Sequence, residues 1–503
     1  MPARKPPPVA EPAARRMRIL LVKPKASLPT VLALQQFQLL EPLELGYLAA
    51  AAGPGHDLRV LDLRFESCAP LALEQALLEF QPQLVGLTGY THEAAAMKDL
   101  ARLTRRTLPD VCLVVGGHHA TVAPDDLNLP EIDRVVRGEG CGVFRAIVDA
   151  LARQQALPDL PGIYQPGPSL DLLDPECWPV FPGVDKMPVP RRDLWDHRRY
   201  SSVWTGETTR DTDSLFPPVS MVRTSFGCRM KCSFCIVPKL FGGQHHPRDP
   251  EEVAEEIANL PTDHIYFCDD ENFIDPEFAT ALADALERRN VKKHYFAWAR
   301  ATTVNRYPEL FRRWRALGLD ATFLGFEFAT DAMLRKVHKG STLAQNERAV
   351  RVLRELDIAV HVAFMILPEW DHADFEALRT YVSGMPPAQF SFTVCTPSPG
   401  TADYDAMRSR IWVDPPYALH DCMHPLLPTK LPLREFARQY ALTLTAASRR
   451  NPMRVRAFPR NSADLQRVLQ AEFEYCRAFR DLYLDFPPHL HSHPGTCCQQ
   501  NCC

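Results

Sequence analysis

The sequence lacks any apolar run long enough to cross a bilayer. Its longest smooth apolar stretches, Leu45–Ala52 and Ile358–Leu367, fall far short of the roughly 20 residues a spanning helix needs. An apolar signal core is also missing. Met1–Met17 carries Arg4, Lys5, Arg15 and Arg16 among prolines, so a disordered tail on a cytoplasmic protein is expected. Excess charge is lacking: 57 Lys+Arg against 61 Asp+Glu leaves a net −4, which offers nucleic acid no basic surface. No internal repeat is found. The 15 cysteines are odd in number, which argues against a full disulfide framework. Most are scattered singly, and several, such as Cys112, Cys268 and Cys395, lie on apolar segments as buried free thiols would.

What is present is ordinary globular material, 46% hydrophobic and 23% charged, in a chain long enough for two or three domains. Over residues 18–145 short apolar runs (Arg18–Lys23, Leu58–Leu63, Leu84–Thr88, Val111–Gly116, Asp133–Arg137) alternate with helix-like stretches. That alternation implies an α/β domain, a doubly wound, Rossmann-like parallel sheet. Ligands of such sheets sit beyond the carboxyl ends of the strands. Here those ends read Thr88-Gly89-Tyr90, Gly116-Gly117-His118-His119 and Gly138-Glu139-Gly140. Residues 146–215 are proline-rich and aperiodic and read as a linker.

A second alternating region spans residues 216–401. Its six strand candidates are Val219–Ser225, His264–Cys268, His294–Trp298, Ala321–Phe326, Ala359–Ile366 and Gln389–Val394. Six βα units suit a partial, open TIM-type barrel better than a closed one of eight. Residues 402–490 turn helical, with Arg434–Ser448 spaced as a packing helix. Residues 491–503 form a Cys-rich tail (Cys497, Cys498, Cys502, Cys503) near His489, His491 and His493. Metal or a second cluster would suit that tail, but it has no core-forming content, and a disordered thiol tail is the plainer expectation.

The strongest chemical signal is Cys228-Arg-Met-Lys-Cys232-Ser-Phe234-Cys235, a CxxxCxxC placed just after the first barrel strand and Gly227. Three thiolates so close suit an iron–sulfur cube, and three leave one iron open to a further ligand. A zinc site would want a fourth Cys or His at regular spacing, and His245 and His246 lie well beyond the last cysteine.

This motif, followed by a six-unit barrel, resembles the radical S-adenosylmethionine (SAM) superfamily. The resemblance implies a [4Fe-4S] cluster on Cys228, Cys232 and Cys235, with SAM bound at the open iron and split to a 5′-deoxyadenosyl radical. It places Asp270, within Phe267-Cys-Asp-Asp-Glu-Asn272, where SAM's amino end binds. Arg300 falls near SAM's carboxylate or ribose, and Glu327, in Leu324-Gly-Phe-Glu327, after the fourth strand. Phe234 sits within the cysteine loop. Many members have Gly-Gly-Glu at the second strand, and the acidic run found here resembles the cobalamin branch.

The N-terminal domain is similar to the cobalamin-binding domain that precedes many such barrels. The matching stretches are Glu41-Pro-Leu-Glu-Leu-Gly46-Tyr-Leu-Ala, Gly116-Gly117-His118-His119 and Val136-Arg-Gly-Glu139-Gly140. The cofactor contacts this implies are Thr88, Gly116, Gly117, His118, His119 and Glu139, although the two histidines read equally as polar caps on a strand end. No Asp-x-His-x-x-Gly occurs in the domain, which fits the radical SAM branch, where that motif's histidine does not hold cobalt.

Two adjacent cofactors imply a methyltransferase that passes a methyl group through methylcobalamin to an unactivated carbon. Asn305–Trp314, Leu324–Glu327, Phe392–Thr401 and Leu427–Phe436 resemble hopanoid C-3 methylases. That resemblance implies a rigid apolar lipid substrate, an apolar pocket served by residues such as Phe364, Trp370, Phe390 and Phe392, a flavodoxin or ferredoxin as electron donor, and room for peripheral membrane contact. Against a pocket role, barrel-core packing accounts for each of those four side chains. Three other readings stand beside it: a cobalamin-linked radical cyclase or an enzyme acting on another natural product, a non-catalytic corrinoid-binding protein, and a tRNA methylthiotransferase. The last would want three cluster cysteines in the N-terminal domain, where Cys68, Cys112 and Cys141 exist, and a basic C-terminal module, which is not evident.

Overall fold

The computed structural model describes residues 15–167, 170, 178–204, 214–415, 417–450 and 463–491. Most of the N-terminal tail and the four terminal cysteines lie outside the described residues. The chain folds as two parallel α/β sheets, each placed by the hydrophobic runs of its own strands. In the first sheet these are β1 (Arg18–Lys23), β2 (Asp57–Asp62), β3 (Leu84–Thr88), β4 (Cys112–Gly116), β5 (Arg134–Val136) and β6 (Ile163–Tyr164). Their order is β2-β1-β3-β4-β5-β6, and only β6 runs antiparallel. β6 comes from the segment that reads as a linker, and the helix Cys141–Ala152 also reaches past residue 145. β1 and β3 are buried almost throughout, as strands covered by helices on both faces must be. The order reverses between β1 and β3, which makes their carboxyl ends the crevice of this sheet.

The second sheet joins β7 (Val219–Val222), β8 (His264–Phe267), β9 (His294–Ala299), β10 (Leu319–Glu327), β11 (Ala359–Ile366) and β12 (Gln389–Val394) in consecutive parallel order. Each strand pairs with the next, and among the described residues β7 and β12 do not pair with each other. The result is an open six-stranded barrel. Its two faces are legible in the burial alternation. Leu324, Phe326, Val362, Phe364, Phe392 and Val394 are fully buried against the outer helices. Their alternates Phe323, Gly325, Glu327, His361, Ala363, Ser391 and Thr393 are half-buried and face the lumen.

The amino-terminal mouth of the barrel is plugged. Trp204 donates its indole N–H to Asp320 at 2.8 Å and packs with Tyr266, Phe296 and Ala321. The free end of the lumen is the carboxyl end, where barrel chemistry sits. The helices Leu433–Ser448 and Ala463–Asp481 pack on each other beside β12, with Tyr440 donating to the Phe392 carbonyl at 2.6 Å.

Candidate functional site

The cysteine loop is fixed at its root by two aspartates from the end of β8. Asp269 accepts from the Thr224 amide (2.7 Å), the Thr224 hydroxyl (2.5 Å) and the Ser225 hydroxyl (2.6 Å). Asp270 accepts from the Gly227 amide and from Arg223, both at 2.9 Å. Gly227 has φ +86°, and a Cβ there would lie 2.2 Å from the Gln244 carbonyl oxygen, so only glycine fits. Beyond the turn, Ser233 donates its amide to the Val337 carbonyl at 3.2 Å.

Cys228 and Cys235 are half-buried and Cys232 is buried, and all three are free thiols. Burial pushes Cys235 up to about 12 and Cys228 upward, so each holds its proton until a bound metal displaces it. Among the described residues no three His, Cys, Asp or Glu side chains close around a single ion. A cube takes each thiolate through a different iron, so its ligands stand wider apart than those of zinc. Three free thiols on one anchored loop at the open barrel end are the soft donor set that an iron–sulfur cube takes.

The residues that sequence motifs singled out around SAM fall into two sets. Asp270 is spent on the loop and on Arg223, and it lines the cleft toward the first domain. Arg300 and Glu327 meet at Lys339: Arg300 donates to the Lys339 carbonyl, and the Lys339 ammonium pairs with Glu327 at 2.6 Å. Arg300 also stands 3.9 Å from the Cys232 sulfur. Glu327 has φ +64°, where the β10–β11 register shifts. Phe234 is half-buried against Phe328, Leu334, Val337, Met365 and Leu367. Sequence reasoning passed over Glu271. Both its oxygens are buried, facing the backbone N–H groups of Arg300 and Phe273 and the Thr303 hydroxyl. Burial pushes its carboxyl up to about 8, offset in part by Arg300. A run of three acids gives no signal as to which one turns away from the cysteine loop.

Between the two sheets lies a cavity of about 570 Å³. Its floor is the carboxyl edge of the first sheet, and six of its lining residues are glycines: Gly86, Gly89, Gly116, Gly117, Gly138 and Gly140. Strand ends without side chains leave a broad, flat space of the kind a macrocycle needs. Thr88, His118 and Glu139 also line it, whereas His119 does not. His119 is fully buried and bonds Asp126 through Nε2 at 2.9 Å, because the short helix opening at His118 turns it inward. Burial and its histidine neighbours push His118 down to about 4, so its ring is neutral.

Three lining groups were missed in the sequence. Lys23, at the end of β1, is buried and pairs with Glu44 (3.2 Å) and Glu93 (3.4 Å). Tyr90 sits under the Lys23 ammonium at 4.8 Å and keeps 52% of its surface open, facing the cavity. The segment that reads as a linker supplies Trp178, Pro179 and Phe181 as a far wall. The barrel contributes Met221, Arg223, Cys268 and Asp270 to the same cavity. One space is therefore bounded by the glycine edge of the first sheet and the root of the cysteine loop.

A corrin-sized cleft set against a thiol loop on an open six-stranded barrel defines a class: enzymes that join cobalamin to radical SAM chemistry. Family comparison agrees. Residues 29–148 match the B12 binding domain and residues 222–382 the radical SAM superfamily. The chain belongs to the cobalamin-dependent radical SAM methyltransferases. It is 30% identical over 425 residues to the hopanoid C-3 methylase of Methylococcus capsulatus, covering 84% of this chain and 78% of that one. The anaerobic magnesium-protoporphyrin IX monomethyl ester cyclase of Cereibacter sphaeroides is 24% identical, covering 74% and 61%. Among solved structures, the radical SAM methyltransferase TsrM from Kitasatospora setae shares the fold with a TM-score of 0.58 at 18% identity, covering 82% of this chain and 83% of that one. The cobalamin-dependent enzyme OxsB gives the same TM-score and identity, and the chain covers 56% of its length. The cofactors of this class are cobalamin, SAM and a [4Fe-4S] cluster. No helix among the described residues is long and apolar enough to cross a membrane.

Proposed function

We propose that the protein methylates an unactivated carbon of a rigid, apolar polycyclic lipid, a hopanoid at C-3. The observation that carries this reading is the lumen wall. Trp298, Phe323 and His361 form a continuous aromatic face, with ring centroids 4.1 and 4.9 Å apart. Burial pushes His361 down to about 4, so the face carries no charge at neutral pH. Such a wall suits a flat hydrocarbon skeleton. Identity with a hopanoid methylase over most of both chains supports the same substrate.

Cys228, Cys232 and Cys235 are assigned as the cluster ligands, and the glycine edge with Thr88, His118, Glu139, Lys23 and Tyr90 as the corrin site. When bound, the two cofactors supply a carbon-centred radical and a transferable methyl group. The chain's own residues orient and exclude. Asp269 and Asp270 set the cysteine loop, and Trp204, Tyr266 and Phe296 close the lumen to water from below. The aromatic wall holds the substrate between the cysteine loop and the interdomain cavity. A flavodoxin or ferredoxin is assigned as the electron donor.

Mass analysis of lipid extracts from cells with and without the gene tests the substrate. Expected is a hopanoid heavier by one CH₂ only where the gene is present. In vitro, anaerobic turnover should release both S-adenosylhomocysteine and 5′-deoxyadenosine. A product lighter by hydrogen with no added carbon would instead establish ring closure, the chemistry named for the cyclases among the relatives.

A further inference from the structure

We propose that Arg300 is the cation that sets the reduction potential of the cluster, held against Cys232 by the segment Val337–Gly340. This rests on the assignment of Cys228, Cys232 and Cys235 as its ligands. Three consecutive carbonyls make the clamp. Val337 accepts the Ser233 amide at 3.2 Å, His338 faces the Cys232 sulfur at 3.9 Å, and Lys339 accepts Nη2 of Arg300. His338 in this clamp is left-handed (φ +53°), a state a non-glycine residue keeps only where its surroundings impose it, and Gly340 (φ +73°) continues the turn without strain. Cysteine loop and guanidinium are thus docked on one short segment, which sets Nη1 of Arg300 3.9 Å from the sulfur.

The charges around this contact leave Arg300 as the acting cation. Lys339 is neutralised by Glu327 at 2.6 Å. Arg300 has no carboxylate at ion-pair distance among the described residues, and its Nε is buried without a partner. A cluster gaining an electron gains negative charge, and a buried cation that also donates to its sulfur favours the reduced form. The Arg300 cation therefore makes the cluster easier to reduce before SAM is cleaved.

The test is a potentiometric titration, followed by electron paramagnetic resonance, of anaerobically reconstituted full-length protein without SAM. Arg300→Gln and Arg300→Met should hold wild-type iron and sulfide. The equilibrium constant for reduction should fall on the order of tenfold, the weight of one charge-assisted hydrogen bond, or about 59 mV for a one-electron couple. Arg300→Lys should recover most of the shift. An unchanged midpoint in loaded Arg300→Gln overturns the proposal. So does weaker SAM binding with an unchanged SAM-free midpoint, which would make Arg300 a SAM ligand alone. If both neutral variants fail to load while Arg300→Lys loads, the residue is a fold support and the proposal also fails. Wild-type iron and sulfide in Cys232→Ser would instead sink the ligand assignment.

Discussion

The carboxylate of Glu41 accepts the backbone N–H of Met221 at 2.7 Å, tying the chain just before the helix Leu43–Ala51 of the first domain to the first strand of the barrel. The same carboxylate, 3% exposed, accepts from Arg192 at 3.2 Å and from the Trp195 indole at 3.0 Å. Arg192 goes on to Glu256 at 2.8 Å. One buried acid thus sets the spacing of both walls of the cofactor cavity. Without Glu41, Arg192 keeps only Glu256, and the Met221 amide and the Trp195 indole lose their acceptor, each buried donor left unpaired costing about 1–3 kcal/mol. Glu41→Ala should lower the melting temperature by several degrees and reduce bound cobalamin per chain, read from the corrin absorbance after desalting. Full cobalamin occupancy in a destabilised variant would separate the latch from the site.

Gly227→Ala should abolish cluster loading with little loss elsewhere. The added methyl would meet the Gln244 carbonyl at 2.2 Å, and the backbone there is left-handed. Relief requires moving either the Ser225–Phe226 ladder or the cysteine loop itself. The strain is of order 1–3 kcal/mol and falls on the three ligands. Iron and sulfide per chain should drop severalfold while the far-ultraviolet circular dichroism stays unchanged. Normal loading would show that the turn adapts.

The parts of this arrangement that the sequence displays are those with local causes. Ala359–Ile366 and Gln389–Val394 fold as strands over the ranges their apolar runs suggest, and Cys228–Cys235 falls at the end of the first barrel strand. Choices among equivalent neighbours were not legible. Asp269, Asp270 and Glu271 are chemically alike, and only the turn at Gly227 decides that the first two are anchors. His118 and His119 separate only once the helix places one in the cavity and the other on Asp126. Trp178 has no periodic signal, and its role comes from a fold-back that no local rule encodes.

The buried pair Asp421–His424 should give stability a defined pH window. Asp421 accepts from His424 at 2.9 Å and from Thr30 of the first domain at 2.5 Å, and His424 also meets Asp485 at 3.1 Å. His92, His420, Cys422, Tyr440 and Tyr475 are other titratable groups that sense Asp421. Desolvation opposes the charge on His424, but the two carboxylates prevail and raise it to about 9. Its contribution is therefore full below the unfolded value near 6.5 and lost as pH rises through about 9. Desolvation opposes the Asp421 charge too, yet His424 and Thr30 hold it down at about 2. That part is present above about 4 and lost as pH falls toward 2. Stability from the pair thus peaks between about pH 4 and 6.5, and a few kcal/mol should disappear by pH 9.5. Guanidinium midpoints across pH 5–10 check this, with His424→Gln flattening the alkaline limb. A wild-type curve without that limb would mean the imidazole is neutral in the fold.

Phe323→Ala should uncouple radical formation from methyl transfer. Phe323 stands between Trp298 and His361 in the lumen wall, half-buried, with Leu324 beside it carrying the outer core. Truncation therefore spares the packed face and costs little stability, on the order of 1 kcal/mol for a partly open site. The cysteine loop, the Glu327–Lys339 pair and the interdomain cavity are built from other residues, so SAM cleavage should proceed. What is lost is the surface that fixes a flat substrate, and a misplacement of about 1 Å can cost two orders of magnitude in a positioned reaction. Methylated lipid per 5′-deoxyadenosine released should fall at least tenfold, with the cleavage rate itself within a few fold of wild type. Phe323→Tyr, which keeps the ring, should retain most of the coupling. Equal losses of both products in Phe323→Ala would place the residue in the SAM site, and unchanged coupling would move the substrate off this wall.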